Sequence, residues 1–315
     1  MSRSLLRAAP SVCVAVAASS WGMWPLFLRR IEAVGALPST LETAVVMAVI
    51  TLVSAAAMWR DRSAAPAPRR ARGWLIGLGV SDALNLLLFF AAYKRTVAEA
   101  VVTHYLMPVF VALVAPHVLG EKMASRTVFA AILSFFGLVI MLARWSGPPV
   151  MGAVLVSAAL GTASAVCYAA TVIGNKLVAP WYSTSESMFW HGLVATALLA
   201  AAVPPSAWAA VDRRAVALLL AVSVGPGGLA GLAFVWGLRR MPAAHASTLT
   251  LLEPLVAVLI GAAFLGEKLG PRSALGGALI LGGALMVLMQ GPERTAPGAG
   301  VAICPEPVDR RADGV

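Results

Sequence analysis

Ten apolar stretches, each about 20 residues long, take up almost the whole chain. They cover residues 9–28, 39–59, 74–93, 97–117, 127–145, 150–174, 185–204, 214–236, 243–264 and 272–290. A helix needs about 20 apolar residues to cross the hydrocarbon core of a bilayer. Inside that core each backbone N–H and C=O must be satisfied within the segment, which makes helices the expected spanning element. The expected fold class is an all-α integral membrane protein with ten transmembrane helices. Composition agrees: only 12% of residues are charged, about half of what a soluble domain carries. The excess apolar surface must face lipid.

The formal net charge is +10, but the basic residues lie in short breaks between apolar runs, as at Arg69, Arg70 and Arg72. No basic domain exists to hold nucleic acid, so no nucleic-acid partner is expected. Lys and Arg beside a membrane accumulate on the cytoplasmic side. With ten spans both termini share a face. That face takes 15 of the 24 Lys and Arg residues and the other takes 9. Both termini are therefore expected in the cytoplasm, with residues 1–8 as a short N-terminal segment. The Pro-, Gly- and charge-rich stretch 291–315 reads as a disordered cytoplasmic tail. Arg3 and Arg7 precede an apolar stretch, but no small-residue cleavage site closes it, so it reads as a retained first helix. Cys13, Cys167 and Cys304 are far apart and lack metal-ligand spacing. No metal or cofactor is expected.

The chain also repeats itself. Gly120-Glu121-Lys122 recurs as Gly266-Glu267-Lys268, an offset of 146 residues. The same offset pairs Pro108 with Pro254, Arg126 with Arg272, Leu133 with Leu279 and Gly137 with Gly283. Residues 98–142 and 244–288 align without a gap and share 13 of 45 positions. Leu and Ala identities are cheap between two apolar helices. Pro, Gly, Glu, Lys and Arg held in one register are not, and they argue for an internal duplication. The repeats are expected over 9–145 and 150–290. Each holds five spans, an odd number, so the second copy must cross the membrane upside down. Inverted repeats about an axis in the membrane plane are typical of secondary transporters, in which exchange of the two repeats' conformations gives alternating access.

These features resemble the drug/metabolite transporter superfamily. The matching residues are Pro108 through Leu119-Gly120-Glu121-Lys122, Leu252-Glu253-Pro254 through Leu265-Gly266-Glu267-Lys268, and the opening Ser20-Trp21-Gly22. The resemblance covers about residues 9–290. Within the superfamily the chain looks most like the bacterial exporters of aromatic and other neutral amino acids. That likeness implies an inner-membrane, multi-pass exporter of a small neutral metabolite, with an amino acid as substrate.

Ionisable groups deep in a span are costly and single themselves out. Asp82 sits near the middle of the third span, with Asn85 and Phe89 on the same face at i+3 and i+7. They read either as a cavity wall receiving a substrate amine or a proton, or as a carboxyl bonded to a neighbouring helix. Glu253 precedes Pro254, and its repeat partner is Met107. It reads as a proton-coupling acid or as a partner for backbone freed by the proline. His104 and Tyr105 lie one turn before Pro108 and read as cavity groups or as locally satisfied ones. His191 reads more readily as packing.

Trp21 and Trp24 on the first span, and Tyr168, Thr171 and Asn175 on the sixth, suit either an amphipathic ligand's cavity or interface anchoring. Pro108 and Pro254 each remove a backbone donor and are expected hinges. Gly225-Pro226-Gly227-Gly228 interrupts the eighth span. The two Glu-Lys pairs lie at helix ends, where they cap spans or lock a gate. No His-Glu-x-x-His or Gly-x-Ser-x-Gly motif supports an intramembrane enzyme. A non-transporting sensor, or a carrier of another metabolite or drug, are the remaining alternatives. Nearly all Lys and Arg lie in loops, which argues against an anionic substrate.

Overall fold

The computed structural model describes residues 3–35, 37–61, 63, 66–122, 124–142, 151–209, 212–266 and 269–290. Residues 143–150, the tail 291–315 and the Glu267-Lys268 pair lie outside them. All regular structure among the described residues is helical. Among the described residues, nine helices are long and apolar enough to cross a membrane: span 1 (Ala8–Glu32), span 2 (Ser39–Met58), span 3 (Arg69–Tyr93), span 4 (Val97–Leu119), span 5 (Ser125–Leu142), span 6 (Met151–Leu177), span 8 (Arg213–Leu238), span 9 (Ala243–Phe264) and span 10 (Pro271–Met289). Span 7 (Thr184–Ala201) completes the ten. Its first turns hold Ser185, Glu186, Ser187 and His191. Those polar residues lower its hydropathy, and it hides them by packing between spans 2 and 3.

Several spans run longer than their apolar stretches. Span 3 begins at Arg69 rather than residue 74, because a helix continues through Arg70 and Arg72 while their charges remain exposed. Span 1 extends to Glu32 and breaks at Met23, between Arg3–Gly22 and Trp24–Glu32, with Pro25 in the first turn of the second piece. Pro25 has no N–H to continue the ladder.

The two repeats interleave. Span 3 packs on span 6, and span 8 on span 1; span 3 packs on span 7, and span 8 on span 2; span 4 packs on span 6, and span 9 on span 1. Each pair turns into the other when the repeats are exchanged. Spans 2 and 7, 4 and 9, and 5 and 10 are paired with their own counterparts. Spans 5 and 10 carry the axis. Ser134 Oγ donates to the carbonyl of Ile280 at 3.4 Å, and those two residues are 146 apart. A Cβ on Gly137 would stand 2.6 Å from the Gly276 carbonyl, and a Cβ on Gly283 would stand 2.6 Å from the Ala130 carbonyl. These are one contact seen from each repeat, since 283 and 130 lie 146 residues from 137 and 276. Small residues let the backbones meet where no hydrophobic force drives helices together in lipid.

The ends of spans 4 and 9 repeat as well. Gly120 and Gly266 both have positive φ, +65° and +72°, the left-handed conformation that glycine takes cheaply at helix ends. Large apolar side chains such as Leu52, Leu113, Phe136 and Leu155 point outward, as lipid-facing positions should.

Candidate functional site

Spans 4 and 9 are both broken at mid-depth. Span 4 consists of Val97–His104 and Met107–Leu119. Span 9 consists of Ala243–Leu249 and Leu252–Phe264. Pro108 and Pro254 stand in the first turn of the second piece in each. Each proline lacks the N–H that would reach back across the break, to His104 in one case and Thr250 in the other. The breaks place His104 and Tyr105 at the end of one half-helix and Glu253 at the start of another.

His104 is buried and ties three spans together. Ser164 Oγ donates to Asn85, with Oδ1 at 2.7 Å and the main-chain oxygen at 2.9 Å. Its single proton is thereby used, so the 2.8 Å contact from His104 Nδ1 is an N–H donated to Ser164. Rings surround the imidazole. Phe89 lies 4.4 Å away between centroids, Tyr168 stacks at 5.4 Å, and Tyr105 stands edge-on at 5.2 Å. The Tyr105 side chain is hydrogen-bonded to Glu253. Tyr168 lies within electrostatic reach of both Glu253 and Asp82. Asp82 and Glu253 each keep some accessible surface. A carboxyl at this depth does not face lipid, so both face an interior space.

Trp21 enters the same neighbourhood. A Cβ on Gly22 would stand 2.5 Å from the Glu253 carbonyl, so span 1 meets span 9 beside Trp21. The Trp21 ring packs on Phe234 of span 8 at 5.1 Å. No spacing in the sequence singles out Phe234, because only the fold brings span 8 onto span 1. Trp24 is elsewhere. Beyond the break at Met23 it packs on Phe27 at 6.4 Å and on the small core of Ile31, Ala215 and Leu219. Thr171 and Asn175 bond within span 6: Thr171 Oγ1 donates to the Cys167 carbonyl at 3.1 Å and Asn175 Nδ2 to the Thr171 carbonyl at 3.0 Å. Both are buried, and Asn175 Oδ1 has no partner among the described residues. The structure thus brings Trp21, Asp82, Asn85, Phe89, His104, Tyr105, Tyr168 and Glu253 into one region. It leaves Trp24, Thr171 and Asn175 outside.

His191 has a polar partner that its span does not suggest. Its Nε2 lies 3.6 Å from Asp82 Oδ2, and its Nδ1 lies 2.6 Å from the Ser187 carbonyl.

A second polar cluster lies at the membrane face shared by the two termini. Glu121 leaves span 4 and pairs with Lys176 at the end of span 6. Its other oxygen accepts from the Ala243 N–H at 2.7 Å, at the start of span 9. Lys176 also donates to the Met241 carbonyl at 2.5 Å. Nearby, Arg239 donates to the Tyr182 carbonyl at 2.8 Å and to Ser187 Oγ at 2.5 Å. Burial, and next Arg240 beside it, lower the Arg239 pKa to about 10, so the guanidinium stays charged at neutral pH. Thr127 of span 5 bonds His245 of span 9 at 2.7 Å and Gln290 beyond span 10 at 3.0 Å. Glu121 therefore does more than cap its own helix: it ties the first repeat to the second.

Residues 10–143 and 155–289 each match the EamA-like transporter family. An uncharacterized transporter of Archaeoglobus fulgidus is 28% identical over 215 residues, which are 67% of this chain and 75% of that protein. The protein PecM of Dickeya dadantii is 29% identical over 227 residues, 68% of this chain and 74% of the relative. The uncharacterized transporter YwfM of Bacillus subtilis is 50% identical over 54 residues, 17% of this chain and 18% of that protein. A crystal structure matches with a TM-score of 0.74 and 22% identity, covering 90% of this chain and 99% of the other; at that identity it speaks for the fold alone. The paired matches, one per repeat, agree with the symmetry of the helices: the chain is a multi-pass membrane protein that belongs to the EamA-like transporter family.

Proposed function

We propose that this transporter exports small neutral metabolites, amino acids with aromatic or other neutral side chains, by alternating access. One observation carries the alternating-access part of this reading; the substrate class rests on the resemblance and on the groups named below. Offset-related turns of the two repeats differ in burial. Residues 243–250, which open span 9, are all buried. Of their counterparts 97–104, which open span 4, only Ala100 and His104 are buried. An odd number of spans puts these turns on opposite membrane faces. One sequence pattern is thus closed on the terminal face and looser on the other. Exchange of the two states moves the opening across the membrane.

The region between spans 1, 3, 4, 6 and 9 suits such a substrate. Trp21, Phe89, Tyr105 and Tyr168 offer ring surface, and Asp82 with Asn85 and His104 offers a carboxylate and hydrogen bonds for an ammonium and a carboxyl. Thr171 and Asn175 would extend the path toward the terminal face, and Trp24 toward the other. Glu253, bonded to Tyr105 at the break in span 9, is the proposed coupling acid. Pro108 and Pro254 are the proposed hinges. The positive charge count and the family resemblance support a bacterial inner-membrane location with cytoplasmic termini. The test is countertransport in proteoliposomes loaded with a panel of amino acids, with and without a proton gradient. Exchange of labelled neutral amino acids is expected. A panel in which none exchanges, in a protein that is folded and monodisperse, would refute the amino-acid reading.

A further inference from the structure

We infer that Asp82 and His191 form a one-proton site that biases the equilibrium between the two access states. The inference rests on the transporter reading above but uses neither Glu253 nor the substrate.

The geometry dictates the proton count. His191 Nδ1 lies 2.6 Å from the Ser187 carbonyl. A carbonyl only accepts, so Nδ1 carries a hydrogen. Nε2 then has a lone pair unless it is protonated too. It faces Asp82 Oδ2 at 3.6 Å, and a carboxylate oxygen is also an acceptor. Two bare acceptors facing each other inside a helix bundle repel. One added proton removes the conflict, as imidazolium against carboxylate or as imidazole against carboxylic acid. Binding forms one Nε2–H or O–H bond and takes the pair from a charge of −1 to 0. Release returns the proton to water in the interior space.

In this state the site is buried and closely packed. The His191 side chain is 4% accessible and that of Asp82 is 18%, so the pair has one dry member and one facing the interior. One turn before Asp82, a Cβ on Gly79 would stand 2.5 Å from the His191 carbonyl. Spans 3 and 7 are therefore in backbone contact at this point. On the other side, a Cβ on Gly192 would stand 2.6 Å from Thr51 Oγ1 of span 2.

The surrounding groups are Tyr168 of span 6, which feels both Asp82 and Glu253, and Arg239 after span 8, which bonds Ser187 one turn from His191. Asp61 and Glu186 lie within electrostatic reach of Arg239. Thr51 and Thr196 are the polar neighbours toward span 2. Asp82 belongs to the first repeat and His191 to the second. Movement of one repeat against the other changes their separation, and with it the affinity for the proton. The terminal-closed form holds the pair together and is the form that the proton favours.

Two measurements test this without any substrate. The first is 15N NMR of histidine-labelled protein, with the His191 signals assigned by His191→Gln. Nδ1 of His191 is expected to carry a hydrogen throughout, and Asp82→Asn is expected to change the Nε2 signal, which faces Asp82 Oδ2. Signals that ignore Asp82 across pH 5–9 would overturn the site.

The second is the labelling rate of Ala244→Cys on the terminal face and Ala98→Cys on the opposite face, in protein freed of its other cysteines. With each rate divided by that of the same cysteine in unfolded protein at the same pH, which removes the thiolate's own pH dependence, acid is expected to slow Ala244→Cys and speed Ala98→Cys, by up to about tenfold per pH unit, the limit for one linked proton. Asp82→Asn and His191→Gln are expected to flatten that dependence. A dependence unchanged in both variants overturns the coupling. Failure of amino-acid countertransport in the wild-type protein refutes the substrate reading alone and leaves both measurements decisive for the proton site.

Discussion

Glu121→Gln should open the terminal face. In the closed form Glu121 holds Lys176, and the two side chains are only 9% and 10% accessible. Its second oxygen accepts from the Ala243 N–H at 2.7 Å. Gln keeps an acceptor for Ala243 but removes the charge opposite Lys176. Leaving one member of a nearly buried pair uncompensated costs about 3–5 kcal/mol. If opening this face takes Lys176 into water, that cost falls on the closed form alone. The lower bound, about 3 kcal/mol, shifts the closed-to-open ratio by about 150-fold.

The assay uses protein with Cys13, Cys167 and Cys304 replaced by Ser and a reporter at Ala244→Cys or Ala98→Cys. A membrane-impermeant maleimide should label Ala244→Cys faster and Ala98→Cys more slowly in the Gln variant. The swap Glu121→Lys with Lys176→Glu should restore much of the original ratio. If Glu121→Gln leaves the ratio unchanged, or speeds both reporters equally, the cluster only caps helices and the gate argument fails.

Three further outcomes are expected. Ser164→Ala strands His104 Nδ1 and Asn85 Oδ1, and should cost about 1–3 kcal/mol, read as a lower Tm in detergent; an unchanged Tm would contradict the buried network. Gly137→Leu and Gly283→Leu insert side chains at the two symmetry-related contacts of spans 5 and 10, where each Cβ would stand 2.6 Å from a carbonyl. Each should destabilise by about 1–3 kcal/mol in thermal unfolding, and a large effect from only one would break the equivalence of the repeats. Asp82→Asn should raise the half-saturation for amino-acid transport about 10–150-fold, the loss of one charged contact of about 1.5–3 kcal/mol, while the protein stays folded and monodisperse.

The sequence alone determined the spanning helices, the duplication and its inversion. Apolar length is a one-dimensional property, and so is the 146-residue offset. An odd count of spans turns that offset into inversion with no knowledge of packing. The breaks at Pro108 and Pro254 were also legible, because a missing N–H acts locally. Partnership was not. Trp21 and Trp24 are three residues apart and look alike on a helix, yet the break at Met23 sends them to different clusters. His191 reads as packing until span 7 lies against span 3 and delivers it to Asp82. Glu121 reads as a cap until span 6 brings Lys176 and span 9 brings the Ala243 N–H. Which helix faces which is set by small residues such as Gly22, Gly79 and Gly137 meeting backbone on another span. Such contacts leave no periodic mark along the chain, so only the tertiary structure decides them.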